Sequence, residues 1–280
     1  MPEQVITPEL RDWIATQTEA GHAADTVLQS MMASGWERQV AMAALDEIMQ
    51  ARRQSGQAPN RLPDPFPDGA VSDLPKLWAH DRWVKVLLQL QHPRIVVFGE
   101  LLSAQECHAL IEMASPRLSR SQTVVASTGD SEVNDARTSR GMFFDRAENE
   151  LCGRIEARIS ALLHWPVDNG EGIQVLQYLP GAEYKPHFDY FDPAQPGTTA
   201  ILQRGGQRVG TLIMYLNTPE AGGATVFPDI DLTVQAMAGH AVFFAYGMAH
   251  PSSRTLHGGA PVRVGEKWVA TKWLRESSFE

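Results

Sequence analysis

From Gly172 onward turn signals repeatedly interrupt the chain: Pro180-Gly181, Gly222-Gly223, Pro228-Asp229, Gly239 and Gly265. Only short extended segments fit between them. The pattern predicts strands over about 172–179, 182–189, 208–216, 223–227, 231–235, 240–246 and 266–274. Many short strands at this spacing point to a β-sandwich or jelly roll. Upstream, Val84, Val86, Leu88 and Leu90 alternate along one strand, His92-Pro93 turns the chain, and residues 94–98 return it. Two helices are expected to cover one sheet. One runs over 104–114 behind a Ser103/Glu106 capping box; the other runs over 147–164 with Leu151, Ile155, Ile159 and Leu162 on one face. The fold class is therefore α+β.

Residues 1–54 are different. Apolar positions recur at helical spacing in three stripes: Leu10, Trp13 and Ile14; Val27, Leu28, Met31 and Met32; and Val40, Ala43, Ala44, Leu45 and Ile48. A three-helix amino-terminal module is expected. A proline-rich stretch follows, with Pro59, Pro63, Pro65 and Pro67, and 55–75 reads as a linker to a second domain over 76–280. Two polar stretches, 119–136 and 191–207, read as mobile loops and candidate lids.

A formal net charge of −9 argues against a nucleic-acid backbone as partner. No apolar run approaches the roughly 20 residues of a membrane helix. The start, MPEQVITPELRDW, lacks an apolar signal core. Two cysteines, Cys107 and Cys152, form no framework or CxxC pair, so a reducing, cytoplasmic setting is expected.

The chemistry concentrates in Tyr184-Lys-Pro-His187-Phe-Asp189. On a strand, positions two apart face one side, so His187 and Asp189 can address one ion. An imidazole and a carboxylate are two corners of the 2-His-1-carboxylate triad that holds non-haem Fe(II) and leaves coordination positions open. His257 lies 68 residues on (257 − 189) and Lys267 another ten (267 − 257). A later strand can bring that histidine alongside, and the lysine suits the far carboxylate of a dicarboxylate. His250 is the rival third ligand, but it sits in a turn-like Met248-Ala-His250-Pro context.

Taken together, Gln177–Asp189, Thr211–Leu216, Gly222–Pro228, His257–Val262 and Gly265–Trp273, with Arg137–Phe143 upstream, resemble the prolyl 4-hydroxylase branch of the Fe(II)/2-oxoglutarate oxygenases over about residues 80–275. The resemblance implies a double-stranded β-helix with iron inside one end. It implies His187, Asp189 and His257 as iron ligands and Lys267 as partner of the C5 carboxylate of 2-oxoglutarate. Tyr178 and Thr211 match groups that hydrogen-bond the cosubstrate. Tyr184 and Trp273 match residues lining the reaction pocket, and Arg137 a residue closing a peptide site. Gly222, Gly223 and Phe227 match structural positions, and Trp268 reads as core. O2 is the second cosubstrate, and the likeness admits ascorbate as an accessory cofactor. A carboxylate ligand at 189 favours hydroxylation over halogenation. The implied substrate is a prolyl residue in a peptide or protein. A free amino acid, a small metabolite, a non-catalytic sensor and a nucleic-acid demethylase remain alternatives. Residues 27–45 resemble a UBA-like domain, which implies a docking role for the first module.

Overall fold

A computed structural model describes residues 4, 6–19, 24–45, 62–65, 75–121, 123–124, 131–132 and 137–280. The chain divides into two compact units, residues 1–61 with 250–252, and 62–249 with 253–280. In the first, α1 (Pro8–Glu19), α2 (Ala24–Ala33) and α3 (38–45) enclose Ile14, Val27, Met31, Ala41, Ala44 and Leu45. Trp13 and Met32, expected on the inward stripes, are exposed: neighbouring Ile14 and Met31 take the buried positions on each helix. Ile48 lies outside the described residues, as does most of the expected 55–75 linker; Leu62 within it is buried in the core of the second unit.

The second unit begins with β1 (Lys76–Ala79), β2 (Arg82–Leu90) and β3 (Arg94–Gly99), followed by α4 (Ala104–Ala114). Short strands β4 (Ser119–Arg120), β5 (Thr123–Val124) and β6 (Ser131–Glu132) precede β7 (Arg140–Phe144) and α5 (Glu150–Leu163). Then come β8 (Ile173–Tyr178), β9 (Tyr184–His187), the short helix α6 (Thr198–Leu202) and β10 (Arg208–Tyr215). The remainder is β11 (Ala221–Gly222), β12 (Thr225–Phe227), β13 (Leu232–Val234), β14 (Ala241–Ala245), β15 (His257–Gly259), β16 (Val262–Val264) and β17 (Lys267–Arg275).

Nine of these strands form one antiparallel sheet in the order β1-β2-β3-β14-β10-β17-β8-β7-β4, and four form another, β13-β12-β15-β9. β10 and β17 sit at the centre of the larger sheet and are almost wholly buried, which explains their near-continuous apolar reading. Two antiparallel sheets with helices on one side are consistent with a jelly roll. The tight turn before β12 needs Gly222 and Gly223 at φ +79° and +73°; a Cβ on Gly222 would stand 2.3 Å from the Pro261 carbonyl.

α4 starts where the capping box places it. Ser103 accepts from the Glu106 N–H, and Glu106 accepts from the Ser103 N–H. The second helix starts at Glu150 rather than 147, because Asn149 caps it by accepting from the Cys152 N–H. Apolar residues of both helices join the core under the larger sheet, as does Trp268. The 191–207 segment is not wholly loop. It contains α6, Gln207 exchanges hydrogen bonds with the Phe191 backbone, and Arg275 donates to the carbonyls of Ile201 and Arg204. Most of 122–136 lies outside the described residues.

One buried cation ties the helices to the sheet. Arg158 of α5 donates to both oxygens of Glu106 at 2.7 and 3.0 Å, and to both of Asp81 at 2.7 Å. Burial opposes the charge on Glu106, but its hydrogen bonds from Arg158 and the Ser103 N–H hold its carboxyl at about 2. Removing the cation strips both carboxylates of their nearest partner and leaves buried Glu106 with only the longer ion-pair contacts of Arg154 at 3.5 Å and Arg82 at 4.0 Å among the described residues. Arg158→Ala is expected to cost about 3–5 kcal/mol in denaturant unfolding. Because the folded pKa of Glu106 lies below its unfolded value of 4.5, its stabilisation is complete above that value and is lost as pH falls toward about 2. The variant should show a shallower acid limb over that window.

Candidate active site

β9 and β15 are adjacent, and their register sets His187 directly opposite His257. A cross-strand pair brings side chains together whatever their separation in sequence, and the two imidazole centroids are 4.4 Å apart. Each ring is oriented by the backbone two residues earlier. The Nδ1 of His187 lies 2.9 Å from the Lys185 carbonyl, and that of His257 lies 3.0 Å from the Thr255 carbonyl. A carbonyl only accepts, so Nδ1 carries the proton and Nε2 keeps its lone pair for a metal. Burial also pushes the His257 pKa down to about 4, so this ring is neutral at ordinary pH.

Asp189 reaches the same point by a different route. β9 ends at His187, so Asp189 lies past the strand, and simple alternation along one strand does not place it. Its position is fixed by the larger sheet. Oδ2 accepts from Thr211 Oγ1 at 2.7 Å and from Trp273 Nε1 at 2.9 Å. The carboxylate then stands 3.4 Å from His187 Nε2 and 3.5 Å from His257 Nε2. Burial works against its charge, but the two histidines and Arg208 outweigh it and hold the carboxyl well below the usual range. The three candidate ligand atoms all lie within 4.8 Å of one another. Two neutral imidazoles and one carboxylate are the donor set of a non-haem Fe(II) centre. His250 is not among them; its Nδ1 pairs with Ser252.

The triad opens into a cavity between apolar walls of Leu176, Ile213 and Val269. Lys267 also lines it. The residue is 3% exposed, and its ammonium lies 5.3 Å from the Tyr178 ring centroid and 5.9 Å from that of Tyr215. Burial alone moves its pKa, down to about 8. Among the described residues no carboxylate pairs with it. A buried cation left without an anion is costly, and an anionic end group of a ligand would satisfy it.

Four of the five remaining expected positions fall into place around this cavity. Tyr178, Tyr184, Trp273 and Arg137 line it with His187 and Lys267. Tyr184 stacks on His187 with centroids 3.6 Å apart, and Arg137 lies over the Tyr184 ring while donating to Gln174. Thr211 does not line the cavity, contrary to its expected contact with the cosubstrate. It pairs with Trp273, six positions (273 − 267) along β17 from Lys267, roughly 20 Å at the rise of an extended strand. Its hydroxyl is committed to Asp189. Two other threonines do line the cavity, Thr271 of β17 and Thr225 of β12, and the sequence reading passed over both. Tyr215 donates to Thr225 Oγ1 at 2.8 Å, leaving the Thr225 proton free to donate. A threonine among Gly-Gly-Ala-Thr-Val-Phe reads as turn and filler; only the register of the smaller sheet marks it out.

Residues 173–275 match the sequence profile of the 2OG-Fe(II) oxygenase superfamily. The chain is 40% identical over 226 residues to prolyl 4-hydroxylase 1 of Arabidopsis thaliana, covering 72% of this chain and 78% of that one. It is 38% identical to probable prolyl 4-hydroxylase 7 of the same plant, covering 67% of this chain and spanning 64% of the relative. Among solved structures, a viral collagen prolyl hydroxylase from Paramecium bursaria Chlorella virus 1, in complex with 2-oxoglutarate, superposes with a TM-score of 0.51 and 28% identity over 65% of this chain and 95% of that one. The chain belongs to the 2OG-Fe(II) oxygenase superfamily, within its prolyl 4-hydroxylase family, and is a dioxygenase using Fe(II), 2-oxoglutarate and O2.

If the triad is the metal site, His187→Ala, Asp189→Ala and His257→Ala should each abolish tight Fe(II) or Co(II) binding in anaerobic calorimetric titration, while His250→Ala binds as the parent does. Parent-like metal affinity in all three triad variants would dismiss the site.

Proposed function

We propose that this chain hydroxylates prolyl residues in a peptide or protein, with 2-oxoglutarate converted to succinate and CO2. The observation carrying the cosubstrate half is the unpaired ammonium of Lys267, buried in the cavity that the His187–Asp189–His257 triad also lines. The prolyl half rests on the family and on the substrates named for its relatives.

In this reading His187, Asp189 and His257 hold the ferrous ion, and Lys267 with Thr225 binds the C5 carboxylate. Tyr178, beside Lys267, helps to orient the cosubstrate. When bound, iron with 2-oxoglutarate supplies the oxidising power that inserts one atom of O2 into a substrate C–H bond and the other into succinate. The protein positions the reactants and keeps water out. Leu176, Ile213 and Val269 make the dry wall. The Tyr184 hydroxyl keeps its proton, since burial pushes its pKa up to about 12, and it is placed to contact the substrate. Arg137 braces that ring from behind, and Trp273 closes the opposite side of the pocket, with the exposed ring of Phe143 centred 6.3 Å away as a platform for the flanking chain.

We further propose that residues 1–54 form a small all-α, UBA-like domain, joined through 55–75 to the oxygenase domain over 76–280, that docks a protein substrate. Support comes from the helices α1 to α3 with their own apolar core and from Trp13, Met32 and Met42 on its surface. A cytoplasmic location is proposed on the two free, buried thiols of Cys107 and Cys152.

A charge-assisted hydrogen bond is worth about 1.5–3 kcal/mol, so Lys267→Met should raise the KM for 2-oxoglutarate by roughly 10–100-fold. Thr225→Val, losing a neutral donor, should raise it less. The sign of the pH effect follows from a lysine pKa lowered to about 8: the ammonium is present below that pH and lost above it. The KM of the parent should therefore be flat well below pH 8 and climb as pH rises through it, and the Lys267→Met profile should be flat throughout. A parent profile without that rise removes Lys267 as the anchor.

Succinate formation should be stimulated by proline-containing peptides, each product gaining one oxygen by mass spectrometry. Removing residues 1–60 should lower turnover of protein substrates while leaving that of short peptides intact. Product from a free amino acid and from no peptide would overturn the protein-substrate assignment.

A further inference from the structure

Tyr246 is buried, sits just past β14, and does not line the cavity. Its hydroxyl contacts Thr211 Oγ1, whose own proton goes to Asp189 Oδ2. A hydroxyl has one proton. With that of Thr211 spent on the carboxylate, Tyr246 must be the donor in its contact with Thr211. The result is a one-way chain, Tyr246 to Thr211 to Asp189, meeting the Trp273 Nε1–H on the same oxygen. Trp273 is itself clamped: the Arg208 guanidinium lies 4.0 Å from its ring centroid and is held by Glu171 through two bonds of 2.7 and 3.0 Å.

Both donors fall on Oδ2, which also stands 3.5 Å from His257 Nε2. Oδ1 takes neither of these two donors and stands 3.4 Å from His187 Nε2. A carboxylate free on both sides can rotate and take a metal through both oxygens, filling a position that the reaction requires. One whose Oδ2 already accepts two hydrogen bonds is held against rotation and offers Oδ1 as its less committed oxygen. We infer that Tyr246 is a positioning residue: acting through Thr211, it pins Oδ2 of Asp189 and fixes the rotation at which this carboxylate would meet a metal. The inference rests on His187, Asp189 and His257 being the metal triad. It assigns no contact between Tyr246 and metal, cosubstrate or substrate.

The test uses the full chain with Co(II) as probe, read by affinity and by the visible d–d spectrum, together with succinate formed per hydroxylated product. Tyr246→Phe removes one oxygen and keeps the ring. It should weaken Co(II) binding by about 10–100-fold, in line with the loss of a partner that orients a metal ligand. It should also change the coordination signature and raise the succinate-to-product ratio, with the KM for 2-oxoglutarate within about twofold of the parent. Thr211→Val should do the same, and Thr211→Ser, which keeps the hydroxyl, should restore parent values. The decisive point is the double variant. Because Tyr246 acts only through Thr211, Tyr246→Phe added to Thr211→Val should cost nothing more.

Additive losses, a parent-like Co(II) spectrum in Tyr246→Phe, or a Thr211→Ser that fails as badly as Thr211→Val would overturn the inference. Should Tyr246→Phe also lower the melting temperature, recovery in Thr211→Ser still separates the hydrogen bond from packing. A parent chain that binds no Co(II) would instead bring down the metal-site reading itself.

Discussion

A carboxylate enclosed between two sheets dominates the architecture of this molecule. Asp189 is 8% exposed, and an ionised group so placed survives only if its oxygens are answered. The histidines come from the smaller sheet and the donors to Oδ2 from the larger one, by way of β10 and β17. Asp189 therefore joins the layers as well as offering a ligand. Each imidazole is fixed by its own backbone, but the carboxylate is fixed only when the sheets are correctly stacked. The metal site can form only on a completed fold, so a misplaced register in either sheet would cost the chemistry before it cost the core.

The same strands explain why the cavity is both dry and charged. Apolar Leu176, Ile213 and Val269 exclude water, which strengthens any electrostatic contact made inside. The free protein carries the cost of an unsatisfied ammonium at Lys267. A dicarboxylate relieves that cost at one end and can meet the metal triad at the other. A neutral molecule of the same length would leave the cation unanswered, so the cavity discriminates by what it lacks.

Much of this was legible in the sequence because the signals are local. The Ser103/Glu106 box starts α4 at Ala104, and Gly222-Gly223 turns into β12, since caps and positive-φ turns depend on a few adjacent residues. His187, His257 and Lys267 were legible through motif and order. What could not be read was the register between strands distant in sequence. Thr211 and Thr225 are both threonines in strands, and nothing adjacent to either says which faces the cavity. The placement of Asp189 was right in outcome but not in cause: the expected alternation along a strand gives way to a chain that has already left it. On α1 the stripe contained both Trp13 and Ile14, and only the packed helices show that the smaller side chain is the buried one.

The two lysines of β17 show how much meaning a strand's period can carry. Lys267 shares the cavity face with Val269, Thr271 and Trp273, while Lys272 falls on the opposite face among the helices. Both are buried to within 3% of full enclosure. Lys272 meets Glu156 of α5 at 2.5 Å, and that carboxylate works against the fall in pKa that burial imposes. Lys267 lies by the Tyr178 and Tyr215 rings with no carboxylate partner among the described residues, and burial acts on it unopposed. One strand thus holds the same side chain in two electrostatic states five positions apart (272 − 267). A cation whose partner is built into the chain belongs to the fold. One that no described carboxylate meets is left able to serve a ligand, and the alternation of β17 keeps the two lysines on separate faces.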